Sequence, residues 1–181
     1  MLRSVKKLVI TAICAAFCVA LPLVFHWIPN AGTVLLPMHI PVLLCGLICG
    51  WPYGLICGLV GPLLSSFTGM PPLAILPSMM VECATYGFVT GLMMRYVHTG
   101  KPTADLYISM ITAMILGRTV SGLAKALIFT PGVGPFAWVT TSLVMGIPGI
   151  VIQLVVMPVL VAALTKARLI PCRYLEKAPC V

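Results

Sequence analysis

Charged side chains are scarce in this sequence, and acidic ones are almost missing. Only 3 of the 181 residues are Asp or Glu, and charged residues together make up 8%, against about 25% in soluble globular domains. Hydrophobic residues make up 61%, and the mean hydropathy is +1.15. This composition excludes a water-soluble domain. It predicts one integral membrane domain over residues 1–181, because the polar stretches are too short to fold outside the bilayer.

The sequence also lacks the motifs that carry common enzyme chemistry. It contains no P-loop, no His-Glu-x-x-His, no paired aspartates and no Ser-His-Asp set that could converge. We therefore expect no enzymatic activity and no cofactor, and a membrane enzyme is the least favoured class. Without a nucleotide site, the chain cannot itself couple ATP hydrolysis to transport.

The formal net charge of +8 raises the question of nucleic-acid binding. Nine of the eleven Lys and Arg residues lie at the ends of apolar runs rather than on one face or one tail. They form three groups: Arg3, Lys6 and Lys7; Arg95 and Lys101; Lys166, Arg168, Arg173 and Lys177. We expect no nucleic-acid partner.

Apolar runs and turn signals predict an all-α bundle of six transmembrane helices. The spans are 7–25, 37–50, 54–67, 73–96, 105–129 and 136–167. The first run is longer than a signal-peptide core, so we assign it as a spanning helix. Spans two and three are short and rich in glycine, which indicates tilted, broken or partly shielded helices. All nine peripheral Lys and Arg fall on one side, so both termini are predicted to be cytoplasmic.

Small residues recur at helix-packing intervals. Glycines occur every fourth residue across spans two and three, at Gly46, Gly50, Gly54 and Gly58. This spacing favours close packing inside the bundle. The first span carries an alanine stripe, Ala12, Ala16 and Ala20. That stripe allows either internal packing or docking on another protein.

Eight cysteines invite a metal or disulfide interpretation. Six lie within apolar runs, where free cysteine behaves as a small hydrophobe: Cys14, Cys18, Cys45, Cys49, Cys57 and Cys83. Their spacing and surroundings are unlike those of a zinc site, so packing is the favoured interpretation and no metal is expected. The other two, Cys172 and Cys180, flank the basic tail.

Three charged residues lie where the bilayer should be. Counting about 1.5 Å per helical residue from the outer ends of their spans, Lys125 lies roughly 8 Å deep, Glu82 13 Å and Arg118 18 Å. Lys125 follows Arg118 by seven residues, close to two helical turns, so both lie on one helix face. A Glu82–Arg118 pair with Lys125 snorkelling outward would be purely structural. The second cation instead favours a pocket that receives a carboxylate or phosphate.

Other polar and aromatic residues are weaker candidates for ligand contacts. Gln153 lies deep in span six, where an interhelical hydrogen bond is the alternative. Tyr86 follows Glu82 by one turn, and both Tyr86 and Trp138 could stack on an aromatic ligand; Trp138 also suits interfacial anchoring. Asn30 and His39 are predicted to be solvated near the outer surface.

These features together resemble a known family, the substrate-binding S components of energy-coupling factor (ECF) vitamin transporters. The resemblance covers nearly the whole chain. It rests on the size, the six-span layout, the alanine stripe, the segment 36–41 (Leu-Pro-Met-His-Ile-Pro) before the glycine-rich run, and the segment 114–118 (Met-Ile-Leu-Gly-Arg).

The resemblance implies how the protein would work. Substrate would bind on the outer side, among spans four to six and the first, third and fifth loops. The alanine stripe would dock on a transmembrane coupling subunit driven by two ATPase subunits, and the S component would topple in the membrane during transport. The expected location is the bacterial or archaeal cytoplasmic membrane.

The predicted positive pocket favours an anionic vitamin or precursor, with pantothenate as the leading candidate. Niacin, lipoate, a hydroxymethylpyrimidine, cobalamin and riboflavin remain open. A metal-transporting branch of the family begins its mature chain with Met-His-Ile, which here is internal at residues 38–40, so nickel or cobalt is not expected. The alternative function is a stand-alone secondary carrier for a small organic anion.

Overall fold

The computed structural model describes residues 4–25, 37–69, 71–129 and 135–166. Over these residues the chain is all-α, with no β-strand. Six α-helices and one π-helical turn follow in order: α1 Ser4–Phe25, α2 His39–Cys49, α3 Trp51–Ser66, α4 Leu76–Tyr96, α5 Pro102–Ala124, the π turn Lys125–Phe129, and α6 Pro135–Lys166. Asn30, the first and fifth predicted outer loops and the basic tail lie outside the described residues.

Three helical stretches in the described residues are long and apolar enough to cross a membrane: Val5–Val24, Pro102–Leu127 and Gly146–Lys166. The 11 residues of α2 rise only about 16 Å, roughly half the thickness of the hydrocarbon core. Nine of these residues are buried. Neighbouring helices therefore shield α2, as expected for a short span.

Helix α4 is the centre of the bundle and packs against α2, α3 and α5. Glycines make the close approach of α2 and α3 to α4 possible. A Cβ at Gly46 would lie 2.6 Å from the carbonyl oxygen of Gly87, and one at Gly58 would lie 2.6 Å from the amide nitrogen of Ala84. No side chain fits at such distances, so the predicted internal packing is confirmed at these positions. Gly50 has a different role from these packing glycines. Its positive φ of 95°, which glycine adopts readily, allows the tight turn between α2 and α3.

The helices alternate in direction, as contacts between them show. Cys18, in the second half of α1, donates its thiol hydrogen to the carbonyl of Met38, just before α2. The Lys7 ammonium lies 5.6 Å from the ring centroid of Tyr53, at the opposite end of the bundle. Helices α2, α4 and α6 therefore begin at one end, which we call the His39 end.

Helix boundaries differ from the predicted spans where proline intervenes. Helix α4 begins at Leu76 rather than residue 73, because residues 72–75 form a turn closed by the Ile75 amide on the Pro72 carbonyl at 3.0 Å. Helix α5 begins earlier, at Pro102. Asp105 then accepts hydrogen bonds from the amide (2.8 Å) and hydroxyl (2.6 Å) of Thr99, which ties the α4–α5 connection to the helix.

The six cysteines of the apolar runs are all free and buried. They lie on α1 to α4 and belong to the hydrophobic core. The Cys45 thiol, for example, lies 3.5 Å from the Thr11 hydroxyl on α1. Within the described residues, no three His, Cys, Asp or Glu side chains are placed to hold a metal ion.

Candidate functional site

The Glu82 carboxylate is the centre of a polar cluster inside the bundle. One turn after it on α4, the Tyr86 hydroxyl donates to Oε1 at 3.0 Å. From α5, the Ser121 hydroxyl lies 3.3 Å from Oε2 and 3.4 Å from the Ser78 carbonyl. Hydrogen bonds from two helices thus hold a charge that would otherwise be costly to bury.

His39 belongs to this cluster, which corrects the prediction that it is solvated. The side chain is fully buried, with 0% exposure. Its Nε2 lies 3.6 Å from Glu82 Oε1, and its ring centroid lies 5.1 Å from that of Tyr86. The prediction was wrong because α2 is short and enclosed, so that its first residue lies inside the bundle rather than at the surface.

Arg118 brings the cation of α5 to the same carboxylate. Its terminal nitrogen lies 4.0 Å from Glu82 Oε1, and the residue is 5% exposed. The guanidinium lies directly against Gly146 on α6, where an added Cβ would overlap it. Gly146 was not predicted as a site residue; its place in a kink-prone Gly-Ile-Pro-Gly segment was the only signal. Glu82 and Arg118, predicted from separate spans, are thus brought together.

Lys125 and Trp138 form a second pair, nearer the His39 end. The Lys125 ammonium lies 5.9 Å from the Trp138 ring centroid, in the range of a cation–π contact. Lys125 opens the π turn, a type of segment that occurs often at functional sites. Lys125 follows Arg118 by seven residues, which is about 10 Å along the helix. Trp138 therefore contacts one of the predicted cations.

Gln153 lies on α6 with 1% exposure. It follows Gly146 by seven residues, so it lies on the same helix face about 10 Å farther from the His39 end. The predicted polar residues therefore occupy three levels of the bundle. Lys125 and Trp138 are at the first level, the cluster around Glu82 at the second, and Gln153 at the third.

Glu82, Arg118 and Lys125 together carry one net positive formal charge. Glu82 and Arg118 balance each other as a pair, and Lys125 adds a positive charge. Arg offers a planar fork that suits a carboxylate, and Lys adds a point charge. Because the interior of the bundle screens charges poorly, these electrostatic interactions are stronger than they would be in water.

The alanine stripe is on the outside of the bundle. Ala12, Ala16 and Ala20 are exposed, whereas Cys14 and Cys18 on the opposite face of α1 are buried. The internal face of α1 packs on α2 and α3. The stripe therefore does not take part in packing between the described helices.

The chain matches a known protein family over most of its length. A family model described as "ECF transporter, substrate-specific component" matches residues 6–161. This range includes all the helices except the first two residues of α1 and the last turn or so of α6. No curated protein matched the chain.

Proposed function

The chain belongs to the substrate-specific components of ECF transporters, and we propose that it captures an anionic vitamin, with pantothenate as the leading candidate. As a member of this family it is a membrane protein and the substrate-binding subunit of an ECF importer. The identity of the substrate, the six-span topology, the residues of the pocket and the partner subunits form the proposal.

The distribution of basic residues supports an orientation in which the polar cluster lies toward the outside. Basic residues lie at the end of the bundle opposite His39: Lys6, Lys7, Arg95, Lys101 and Lys166. By the positive-inside rule that end faces the cytoplasm. The His39 end then faces outward, in a bacterial or archaeal cytoplasmic membrane. Substrate arriving from outside meets Lys125 and Trp138 before the Glu82 cluster.

One observation carries the choice of an anion: Arg118 is buried beside Glu82 while Lys125 supplies a further cation on the same helix face. We assign Arg118 and Lys125 to the substrate carboxylate. Glu82 orients Arg118, Tyr86 and Trp138 contact the body of the substrate, and Gln153 contacts its deepest part. Pantothenate suits this arrangement because a carboxylate at one end is joined to a chain of polar groups.

The coupling partner would bind at the alanine stripe. Exposure of Ala12, Ala16 and Ala20 supports this assignment, since small side chains let a second helix approach closely in lipid. That partner is the transmembrane coupling subunit, which two ATPase subunits drive.

A stand-alone carrier for a small organic anion is the second candidate. The buried His39–Glu82 contact of 3.6 Å favours it, because an imidazole beside a carboxylate can pass a proton. Uptake in cells that contain no ECF ATPase, abolished by Glu82→Gln, would establish this function. Uptake that requires the ATPase excludes it.

Native mass spectrometry of the purified protein tests the substrate directly. We expect a co-purified small molecule with a carboxylate, and a mass equal to that of pantothenate for the leading candidate. A neutral or cationic molecule at full occupancy would overturn the proposal of an anionic substrate. Titration with radiolabelled pantothenate checks the leading candidate separately.

A further inference from the structure

His39 is fully buried, yet its ring nitrogens make no hydrogen bond within the described part of the chain. The residue is 0% exposed, and neither ring nitrogen has a hydrogen-bond partner among the residues that the structure describes. A buried polar atom without a partner costs free energy, so such atoms are rare unless they serve a purpose.

The surroundings of the ring distinguish its two nitrogens. Nε2 faces the Glu82 carboxylate at 3.6 Å, and one side of the ring packs on Tyr86. A carboxylate only accepts hydrogen bonds, so the neutral ring is best oriented with its proton on Nε2. Nδ1 then carries a lone pair and requires a donor. His39 itself lies at the start of α2, which is the outward end of the bundle in the proposed orientation.

We propose that Nδ1 of His39 accepts a hydrogen bond from a hydroxyl or N–H group of the substrate. The proposal rests on the proposed function, and it narrows the substrate class from any small anion to an anion that also carries a hydrogen-bond donor. His39 Nε2 and the Arg118 guanidinium both lie within 4.0 Å of the same Glu82 oxygen. Because Nδ1 belongs to the same ring as Nε2, a small hydroxy acid or amide acid that binds Arg118 would also lie close to Nδ1.

Glu82 would orient both groups that contact the substrate, His39 and Arg118. Its Oε1 faces the His39 ring on one side and Arg118 on another, and it accepts the Tyr86 hydroxyl as well. One carboxylate thus fixes the proton on His39 and the position of the guanidinium. This assigns selectivity to α2, a helix outside the set of spans four to six that the family resemblance implies for binding.

Two amide substitutions separate this role from a structural one. The side-chain amide of Asn reaches the position of Nδ1, whereas that of Gln reaches the position of Nε2. Pantothenate affinity of the full-length protein in detergent is measured for wild type, His39→Gln and His39→Asn. We expect His39→Gln to bind pantothenate about tenfold more weakly or worse, because one hydrogen bond is lost. His39→Asn keeps a hydrogen-bonding group at the position of Nδ1, so its affinity should be close to that of the wild type. Equal losses in the two variants, with equal thermal stability, would overturn the proposal.

A second measurement changes the ligand instead of the protein. Analogues of pantothenate that lack one hydroxyl are titrated against wild type and His39→Gln. We expect one analogue to bind wild type about tenfold more weakly, and His39→Gln to bind that analogue and pantothenate alike. The amide N–H is tested in the same way, with an ester in place of the amide. Wild-type protein that binds every hydroxyl analogue and the ester as tightly as pantothenate overturns the His39 proposal. Wild type that binds neither pantothenate nor any other carboxylate vitamin overturns the proposed function itself, a distinct result.

Discussion

The guanidinium of Arg118 on α5 lies against the bare backbone of Gly146 on α6, at a place where no side chain fits. The absence of a Cβ there gives the longest cationic side chain room to lie beside Glu82. A buried charge is thus positioned by a glycine on one neighbouring helix and a carboxylate on the other. Three helices contribute to one ion pair.

Gly146→Ala should therefore displace Arg118. The added methyl group would overlap the guanidinium, and we expect substrate affinity to fall about tenfold, or 1.4 kcal/mol, because the cation moves from its position beside Glu82. Isothermal titration with the co-purifying substrate measures the change. Gly146→Ala placed on an Arg118→Ala background is the control, and there it should cost little further affinity. An equal loss on both backgrounds would show that the methyl group acts on something other than Arg118.

Arg118→Ala should lower substrate affinity more than it lowers stability, once the orphaned carboxylate is removed. The single variant leaves Glu82 buried without its cation, and breaking such pairs costs about 3–5 kcal/mol of stability. The double variant Glu82→Gln/Arg118→Ala removes that charge. We expect thermal unfolding in detergent to return toward the wild-type midpoint while substrate affinity stays below that of the wild type. Wild-type affinity in the double variant would exclude Arg118 from the pocket.

The sequence predicts that the described chain is helical and that Glu82 and Arg118 lie at neighbouring heights along the bundle, for a physical reason. Helical rise is fixed, so counting residues places Glu82 and Arg118 at similar depth, and the structure shows them 4.0 Å apart. Glycines at intervals of four likewise predict close packing, which Gly46 and Gly58 confirm. These relationships depend on local geometry alone.

The contributions of His39 and Gly146 could not be derived in the same way. His39 is buried because α2 is short and enclosed by its neighbours, which depends on how the helices pack. Gly146 contacts Arg118 across a helix interface, and no periodicity within α6 indicates which residue it faces. Contacts between helices therefore determine the part of the site that the sequence does not reveal.

Tyr86→Phe should destabilise the fold while keeping the ring in place. The substitution deletes the 3.0 Å hydrogen bond to Glu82 Oε1, and bonds to a charged acceptor contribute about 1.5–3 kcal/mol. We expect a lower unfolding midpoint in a denaturant titration followed by circular dichroism. Tyr96→Phe is the matched control, since Tyr96 is exposed at the end of α4. Equal midpoints for the two variants would contradict the role given to this hydrogen bond.

Gly54→Ala should be among the most disruptive small substitutions. A Cβ on Gly54 would lie 2.8 Å from both the Gly46 Cα and the Gly87 carbonyl carbon, so α3 would be forced away from two backbones. Overpacking of this kind costs about 1–3 kcal/mol or more. Leu64→Ala on the exposed face of α3 serves as the control. A Gly54→Ala protein with an unfolding midpoint equal to that of the control would show that the helices separate more easily than their contacts indicate.

Ala16→Trp should separate transport from binding. Ala16 is exposed on α1, on the side away from the buried Cys14 and Cys18, so a large side chain there need not disturb the packing of the bundle. If the alanine stripe docks on the coupling subunit, the indole blocks close helix contact and uptake into cells is lost. Substrate binding by the purified subunit should remain at the wild-type level.

Val155→Trp, on the exposed face of α6, is the control for a bulky residue facing lipid and should leave uptake intact. Loss of binding in Ala16→Trp would instead place the stripe in the packing of the subunit itself, and normal uptake would remove it from the docking surface.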